Sequence, residues 1–456
     1  MLIIAEWLLI SYVSYFAAIG LEWLEIYIDA TSKATLANMI IFSTFIVIIN
    51  LSLGLYETKL RESFRAIVRR ITVSVIMSFF SVTIITGILL KQYATHPIYA
   101  PTAVTLIIIS LIMFRYYVHT TNALVKKPKV VFLGAGLRAS IIEKRMRRDV
   151  DRTNFNLLGF IATSIDDRVD GIKKEKVITI DIQKELVSFL VDNDVSEVII
   201  ACDQRRGVLP TALLLEARLK GVKITELLDF IERESGQIAV DLMYPSWLIF
   251  SSGFHTQNYI REFADYAVNV VIALLILGLT WPVMMITALV IYFDDGRRTG
   301  ASVFYAQQRV GLNGQTFNIL KFRSMRPDAE KDGAKWAQKG DSRVTSIGGF
   351  IRKYRIDELP QLLNVIKGEM SFIGPRPERP EFVEELEKVV PYYSQRHNCK
   401  PGLTGWAQLN YPYGASVQDS LEKLKYDLYY VKHQSFLLDV LILIRTVELV
   451  VFGKGR

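Results

Sequence analysis

Apolar residues gather in four long runs over the first 120 positions, near 7–21, 35–55, 71–90 and 99–118. Each approaches the roughly 20 residues that cross a bilayer as a helix, so the runs predict four spanning helices. The charges between them give a direction. Lys59, Arg61, Arg65, Arg69 and Arg70 stand between the second and third runs, whereas Glu22, Glu25 and Asp29 follow the first. Basic loops stay in the cytoplasm. An even number of spans returns the chain to that side, where Arg115, Lys126, Lys127 and Lys129 agree. No small-residue cleavage site follows the first run, so no removable leader is expected.

From about 128 to 245 the pattern changes to short apolar runs separated by polar, helix-like stretches. Lys129–Leu133, Leu157–Ala162, Val177–Ile180, Val198–Cys202 and Val222–Thr225 read as strands, and their alternation with helices is the rhythm of a parallel sheet. The first strand leads into Gly134-Ala135-Gly136-Leu137-Arg138-Ala139. This Gly-x-Gly-x-x-Ala turn lets backbone amides approach a pyrophosphate at a helix start, making Gly134 and Gly136 candidate nucleotide contacts. The acidic residue expected about 20 positions further on has no clean counterpart, since Asp166 and Asp167 come too late. An empty structural or regulatory module is the competing reading.

The run Tyr266–Phe293 is uncharged and interrupted at Thr280-Trp281-Pro282. Taken alone it is a fifth span, which would carry the rest of the chain across the membrane. Proline removes a helix hydrogen bond, so a helix that enters, bends at Pro282 and returns to the same face fits equally, if its backbone is satisfied inside the protein. Arg261 before the run and Arg297 and Arg298 after it favour one cytoplasmic face. Near the end, Phe436–Phe452 carries Asp439, Arg445 and Glu448 at helical spacing, an amphipathic pattern suited to the membrane interface or a domain face.

Composition narrows the class. At 456 residues and 51% apolar the chain is too greasy to be wholly water-soluble, and its net charge of +8 suits anionic lipid or a phosphorylated substrate. No nucleic-acid-binding motif is present, so no nucleic-acid partner is expected. Cys202 and Cys399 are too few for a disulfide framework or a four-thiolate metal site. The five histidines (His96, His119, His255, His397, His433) lack zinc-ligand spacing.

The chemistry concentrates after the interrupted run. Arg309, Lys321, Arg323, Arg343, Arg352, Arg355, Arg376, Arg379 and Arg396 accompany Gly and Pro turns, as expected where loops converge on a polyanion. Arginine suits this because its planar fork grips phosphate oxygens in pairs. Among these bases stands the adjacent pair Asp357-Glu358 in Arg355-Ile356-Asp357-Glu358-Leu359-Pro360-Gln361. On a regular helix the two would point about 100° apart and serve different tasks. An ionised aspartate attacks phosphorus when magnesium and arginines offset the substrate's charge.

Four motifs together, Lys321-Phe322-Arg323-Ser324-Met325, Asp357-Glu358-Leu359-Pro360-Gln361, Gly374-Pro375-Arg376-Pro377 and Pro401-Gly402-Leu403-Thr404-Gly405-Trp406-Ala407-Gln408, resemble the bacterial polyprenol-phosphate sugar-1-phosphate transferases over residues 255 to 456. The preceding segments look like the long, membrane-anchored subgroup. The resemblance implies a UDP-sugar donor, an undecaprenyl phosphate acceptor, release of UMP, and a place in exopolysaccharide, capsule or O-antigen initiation. It makes Asp357 the nucleophile that carries the phosphosugar and Glu358 its partner, the two holding Mg²⁺. Lys321, Arg323, Arg355, Arg376 and Arg379 become phosphate-binding candidates, Asp427 a lesser substrate-binding one, and Trp406 and Gln408 helpers of the nucleotide site or parts of a packed turn. In the family the re-entrant helix breaks at a Ser-Pro pair; here the pair is Trp281-Pro282, with Thr280 one position earlier. Glucose or galactose is the donor sugar first suggested, and a homodimer is implied by the long members alone.

The expected architecture is therefore a multidomain membrane protein of the bacterial inner membrane: a four-helix transmembrane bundle (1–120), a Rossmann-like α/β domain (121–250), and a mainly helical monotopic catalytic domain (251–456) with a re-entrant membrane helix. Membrane lipid is an expected partner, and the catalytic domain is expected on the cytoplasmic face. Three rivals differ in kind. A membrane-bound nucleotide-sugar dehydratase needs a Tyr-x-x-x-Lys pair in a longer α/β domain, and none is well placed. A glycosyltransferase would release UDP, and a non-enzymatic membrane sensor would work without Asp357.

Overall fold

The computed structural model describes residues 2–23, 33–52, 55–56, 64–89, 99–121, 127–145, 155–163, 172–204, 209–251, 253–254, 259–329, 331, 341–412, 414 and 416–451. The chain divides into two compact units, Met1–Gly236 and Gln237–Arg456.

Four helices open the first unit, one on each apolar run: α1 (Leu2–Trp23), α2 (Lys33–Ser52), α3 (Phe64–Leu89) and α4 (Tyr99–Thr121). Ile10, Ile46, Ile71, Val75, Ile107 and Leu111 fill the space between them, yet Ile4, Leu8, Phe80 and Met113 face outward and are exposed. Helices apolar on every face belong in a core or in lipid. Several of their polar groups lie inside. Buried Glu6 meets Arg115 and the Tyr56 hydroxyl, and Arg115 Nη1 donates to the Leu55 carbonyl at 3.1 Å. Lys59, Arg61, Glu25, Asp29, Lys126, Asp166 and Asp167 lie outside the described residues.

The same unit holds a five-stranded sheet in the order β3-β2-β1-β4-β5, every pair parallel. The strands β1 (Lys129–Leu133), β2 (Asn156–Ile161), β3 (Val177–Ile178), β4 (Glu197–Ile200) and β5 (Lys223–Glu226) lie close to where the apolar runs placed them. Between and after them come α5 (Leu137–Arg145), α6 (Ile182–Asp192), α7 (Thr211–Leu219) and α8 (Leu227–Ser235). Side chains alternate across the sheet. Val131 and Leu133 pack with Leu186, Leu190 and Val198, while Phe132 meets Phe160 and Phe230. The strand order reverses between β1 and β4.

The second unit begins at Gln237, ahead of the boundary expected at 250/251. Ile238 N donates to the Lys425 carbonyl at 2.9 Å, and the buried Lys425 ammonium pairs with Asp241 at 3.2 Å. Then follow α9 (Pro245–Phe250), α10 (Tyr259–Ile291), the single turn α11 (Arg297–Thr299) and the hairpin β6 (Phe304–Val310) and β7 (Thr316–Phe322). Next come α12 (Ser346–Lys353), a 3-10 turn at Ile356–Gln361, α13 (Leu362–Lys367), β8 (Ser371–Ile373) and α14 (Pro380–Val389). Strand β9 (Gly402–Thr404), parallel to β8, leads to α15 (Trp406–Asn410), α16 (Val417–His433) and α17 (Phe436–Val451).

Helix α10 continues through Pro282 instead of stopping there. The Thr280 hydroxyl donates to the Ile276 carbonyl at 2.8 Å, the bond a serine or threonine makes inside a helix. Among the described residues, Arg261–Asp294 is the one stretch long and apolar enough to cross a membrane, and Leu274, Leu275, Leu279 and Trp281 along it are exposed. Both halves rest on one domain. Tyr266 Oη donates to the Ile366 carbonyl at 2.8 Å and Asn269 Oδ1 accepts from Phe372 N at 2.8 Å, while Met284, Ala288 and Ile291 share a cluster with Phe322, Ile351 and Ile356.

Candidate active site

A buried asparagine sets the site's geometry. Asn364, on α13, accepts from Leu320 N at 3.0 Å through Oδ1 and donates to the Asn318 carbonyl at 2.8 Å, with a second bond to Glu369 at 2.6 Å. It is fully buried, where an unpaired amide would cost stability, so it staples the Asp-Glu turn's following helix to β7. Lys321, one residue beyond the staple, then reaches the turn: its Nζ lies 4.0 Å from Glu358 Oε1.

Asp357 and Glu358 sit on a 3-10 turn and not on the regular helix considered from the sequence. Three residues per turn separate neighbours by about 120°, which still divides the pair between two directions. The turn is forced to start sharply. Arg355 holds φ at +59°, in the left-handed region that side chains other than glycine rarely adopt. Pro360 falls inside the 3-10 turn.

The two carboxylates have opposite surroundings. Glu358 Oε1 accepts from Arg376 Nη2 at 3.0 Å, and Oε2 lies 3.4 Å from Arg355 Nη1. Burial opposes its ionisation, but Arg376, Lys321 and Arg355 hold its acid constant down to about 2. Asp357 is nearly buried, and no hydrogen bond or ion pair engages its carboxylate among the described residues. Burial and the charge of Glu358 push it above the usual aspartate range, against Lys321, Arg352 and Arg355. One carboxylate is therefore pinned and the other is left available. Burial, with the charges of Arg376 and Arg309, brings Lys321 down to about 8 despite Glu358.

Among the described residues no cluster of three or more Asp, Glu, His or Cys forms a self-sufficient metal cage. Magnesium does not need one, since it is commonly held by one or two carboxylates with substrate phosphates and water. The uncommitted Asp357 beside Glu358 fits that mode.

The remaining candidates are distributed. Arg355 and Arg376 contact Glu358. Arg379 turns to Glu381 at 3.5 Å and lies over the Phe382 ring. Arg323 is buried and lines a small pocket with Ile291, Asp294, Thr345 and Ile347 at the end of α10. Asp427 does not reach out to a substrate: it is buried and ion-paired with Arg396 at 2.8 Å. Trp406 is a packed residue, stacked on Tyr429. Arg309, Arg352 and Arg396 stood among the bases expected around a polyanion but not among the phosphate-binding candidates, and Asn364 was not singled out at all; it stands in the apolar face of its helix, a signal that a buried amide has a task.

The glycine turn of the α/β module packs against the end of β4. Gly134 has φ +120°, and a Cβ there would lie 2.7 Å from the backbone of Ala201 at the end of β4. The first two amides of α5, of Leu137 and Arg138, donate at 2.7 and 2.8 Å to the two oxygens of Asp203. A carboxylate of the protein thus lies at the start of α5, and Gly134 makes the close approach of the β1–α5 turn to the end of β4.

Residues 260–453, which contain every residue of the Asp357–Glu358 site, match the bacterial sugar transferase family, and residues 51–208 match a family described as a CoA-binding domain. The chain is 37% identical over 242 residues to the UDP-N-acetylgalactosamine-undecaprenyl-phosphate N-acetylgalactosaminephosphotransferase of Aeromonas hydrophila, a match covering 53% of this chain and 55% of that protein. It is 31% identical over 299 residues to the UDP-glucose:undecaprenyl-phosphate glucose-1-phosphate transferase of Xanthomonas campestris, covering 64% and 60% respectively. The chain thus spans little more than half the length of these two relatives. A shorter relative, the exopolysaccharide production protein ExoY of Sinorhizobium fredii, is matched over 85% of its length and 41% of this chain at 34% identity. Because that match takes in most of a whole protein, and the family match spans the domain built around Asp357 and Glu358, the chain belongs to the bacterial sugar transferase family.

Proposed function

We propose that the protein transfers a sugar-1-phosphate from a UDP-sugar to undecaprenyl phosphate and releases UMP. The observation that carries this reading is the uncommitted Asp357 carboxylate beside a Glu358 pinned by Arg376, Arg355 and Lys321. Asp357 attacks the phosphorus that bears the sugar, the bond to the UMP oxygen breaks, and UMP leaves. An oxygen of the lipid phosphate then attacks the same phosphorus, expels Asp357, and completes the lipid diphosphate. Lys321, Arg355 and Arg376 offset the charge that gathers on the phosphate oxygens. Bound Mg²⁺, held by Asp357 and Glu358, would add further charge compensation.

The setting proposed is the cytoplasmic face of a bacterial inner membrane, with α1–α4 spanning it and α10 entering and returning. Support for the return comes from lengths. A straight helix would separate Tyr266 from Ala288 by about 33 Å. The segment from Ile356 to Ile366 that the two halves of α10 approach is at most about 18 Å long. A bend at Pro282 reconciles the two. The relatives act on glucose and N-acetylgalactosamine donors, so these join galactose in the test panel.

Purified protein with Mg²⁺, undecaprenyl phosphate and UDP-glucose, UDP-galactose or UDP-N-acetylgalactosamine should release UMP with one donor, and Asp357→Asn should lower that rate at least about a thousandfold, as loss of a catalytic nucleophile does. UDP in place of UMP indicates a glycosyltransferase. Undiminished UMP release by Asp357→Asn removes the aspartyl intermediate.

A further inference from the structure

The four carbonyls that follow Gly374 are held from three parts of the domain. Pro375 O accepts from Gly402 N at 3.0 Å, Arg376 O from Arg396 Nη2 at 2.9 Å, Pro377 O from Arg309 Nη1 at 3.2 Å, and Glu378 O from Val310 N at 2.9 Å. Gly374 itself is pressed against Lys400, where a Cβ would lie 2.2 Å from the carbonyl oxygen. The turn that presents Arg376 to Glu358 is thereby fastened residue by residue.

Among these fasteners Arg396 is unusual because it is a charge in the interior. Its side chain and that of Asp427 are only 5% and 4% exposed. Nε and Nη2 both reach Asp427 Oδ2, at 3.1 and 2.8 Å, Nη1 donates to Tyr393 Oη at 3.0 Å, and Nη2 also takes the Arg376 carbonyl. A buried ion pair brings little net stability, because desolvation offsets its attraction. Its fixed fork does bring geometry: three nitrogens lock one orientation, and one of them grips the main chain of a residue bonded to Glu358.

We infer that Arg396, oriented by Asp427, is a positioning residue for catalysis, one that sets the Gly374–Pro377 turn and so aims Arg376 at Glu358. The inference rests on the reaction proposed above for its catalytic consequence, and on the structure alone for the clamp. Neither residue touches substrate; both act through Arg376. Lysine at 396 keeps the charge for Asp427 but cannot also hold Tyr393 and the Arg376 carbonyl from separate nitrogens.

The test uses the full-length protein and the variants Arg396→Lys and Asp427→Asn, the second serving if the first does not fold. Expected for each is a kcat between about ten- and a hundredfold lower, the range that slight misplacement of a catalytic group produces, with KM for the UDP-sugar within about twofold. In an Arg376→Lys background the same change should cost no more than about twofold, since coupled residues are non-additive. Equal losses in both backgrounds would mean a merely structural role and overturn the inference. Hydrogen exchange, read without turnover, should accelerate in peptides covering 371–379 of the variants and stay unchanged along α10; unchanged exchange at 371–379 overturns the clamp. Absence of UMP release by the wild type would refute the proposed reaction, while the exchange result would still decide the clamp.

Discussion

Lys321 places two demands of opposite sign on one proton. Its ammonium faces Glu358 and Asp357 but also Arg376 and Arg309, and burial brings its acid constant from 10.5 to about 8. If that ammonium supports the reacting phosphate, kcat/KM should fall as pH rises through about 8, by up to tenfold per unit once the proton is lost. Lys321→Arg should carry its remaining activity to higher pH, because guanidinium stays charged. Stability runs the other way. Between about 8 and 10.5 the unfolded chain retains a proton that the folded one has lost, so the contribution of this group to stability rises with pH. A pH–rate profile that stays flat to pH 9.5 in the wild type would remove Lys321 from the chemistry. Asp357, Glu358, Lys321 and Arg376 were legible because each stands in a dense motif of charge and turn residues. Asp427 was not: its partner is Arg396, 31 positions away in the chain, and nothing local tells a paired acid from a substrate-facing one. Arg323 stands two residues after Lys321, yet β7 ends at Phe322, so the strand's alternation no longer governs where it points.

Elements were easier to read than their contacts. Strands and helices of the α/β module follow from period and apolar run because a parallel sheet is buried on both faces. The Gly-x-Gly-x-x-Ala turn, however, reads the same whether its amides meet a pyrophosphate or a carboxylate, and nothing local in it announces Asp203, which the loop after β4 brings to these amides. Asp203→Ala should lose about 0.5–2 kcal/mol, the usual value of a helix-terminal cap. The emptied seat should then accept an anion, so millimolar inorganic phosphate should raise the melting temperature of Asp203→Ala well beyond its effect on the wild type. Equal phosphate responses would mean that Asp203 is not standing in for a phosphate. Pro282 teaches a similar lesson: the residue allows a bend, but the contacts of both halves of α10 with one domain, through Tyr266 and Ile291, could not be read from it.

At the scale of the molecule, the family match over residues 260–453 falls inside the second unit, Gln237–Arg456. The second unit begins at Gln237, and a relative as short as ExoY is matched over 85% of its length. The sequence placed the boundary at 250/251 because the strand–helix pattern ends near 245 and the family resemblance begins near 255. The contacts of Ile238 and Asp241 move it forward, since they belong to α16: Ile238 N bonds to Lys425 O, and Asp241 shares the buried Lys425 ammonium with Glu422. A fragment of 237–456 in detergent or lipid should therefore keep UMP release within about threefold of the full chain. A fragment of 251–456 leaves Lys425 with one carboxylate in place of two and exposes the surface covered by Ile238 and Val240, both buried in the full chain. Losing the buried side chains of Ile238, Ala239, Val240 and Trp247 and a partly exposed ion pair should lower its stability by at least about 3 kcal/mol. Thermal unfolding of the two fragments side by side decides the matter. Equal midpoints would place residues 237–250 outside the catalytic unit, whereas a lower midpoint for 251–456 alone would make them its first structural layer.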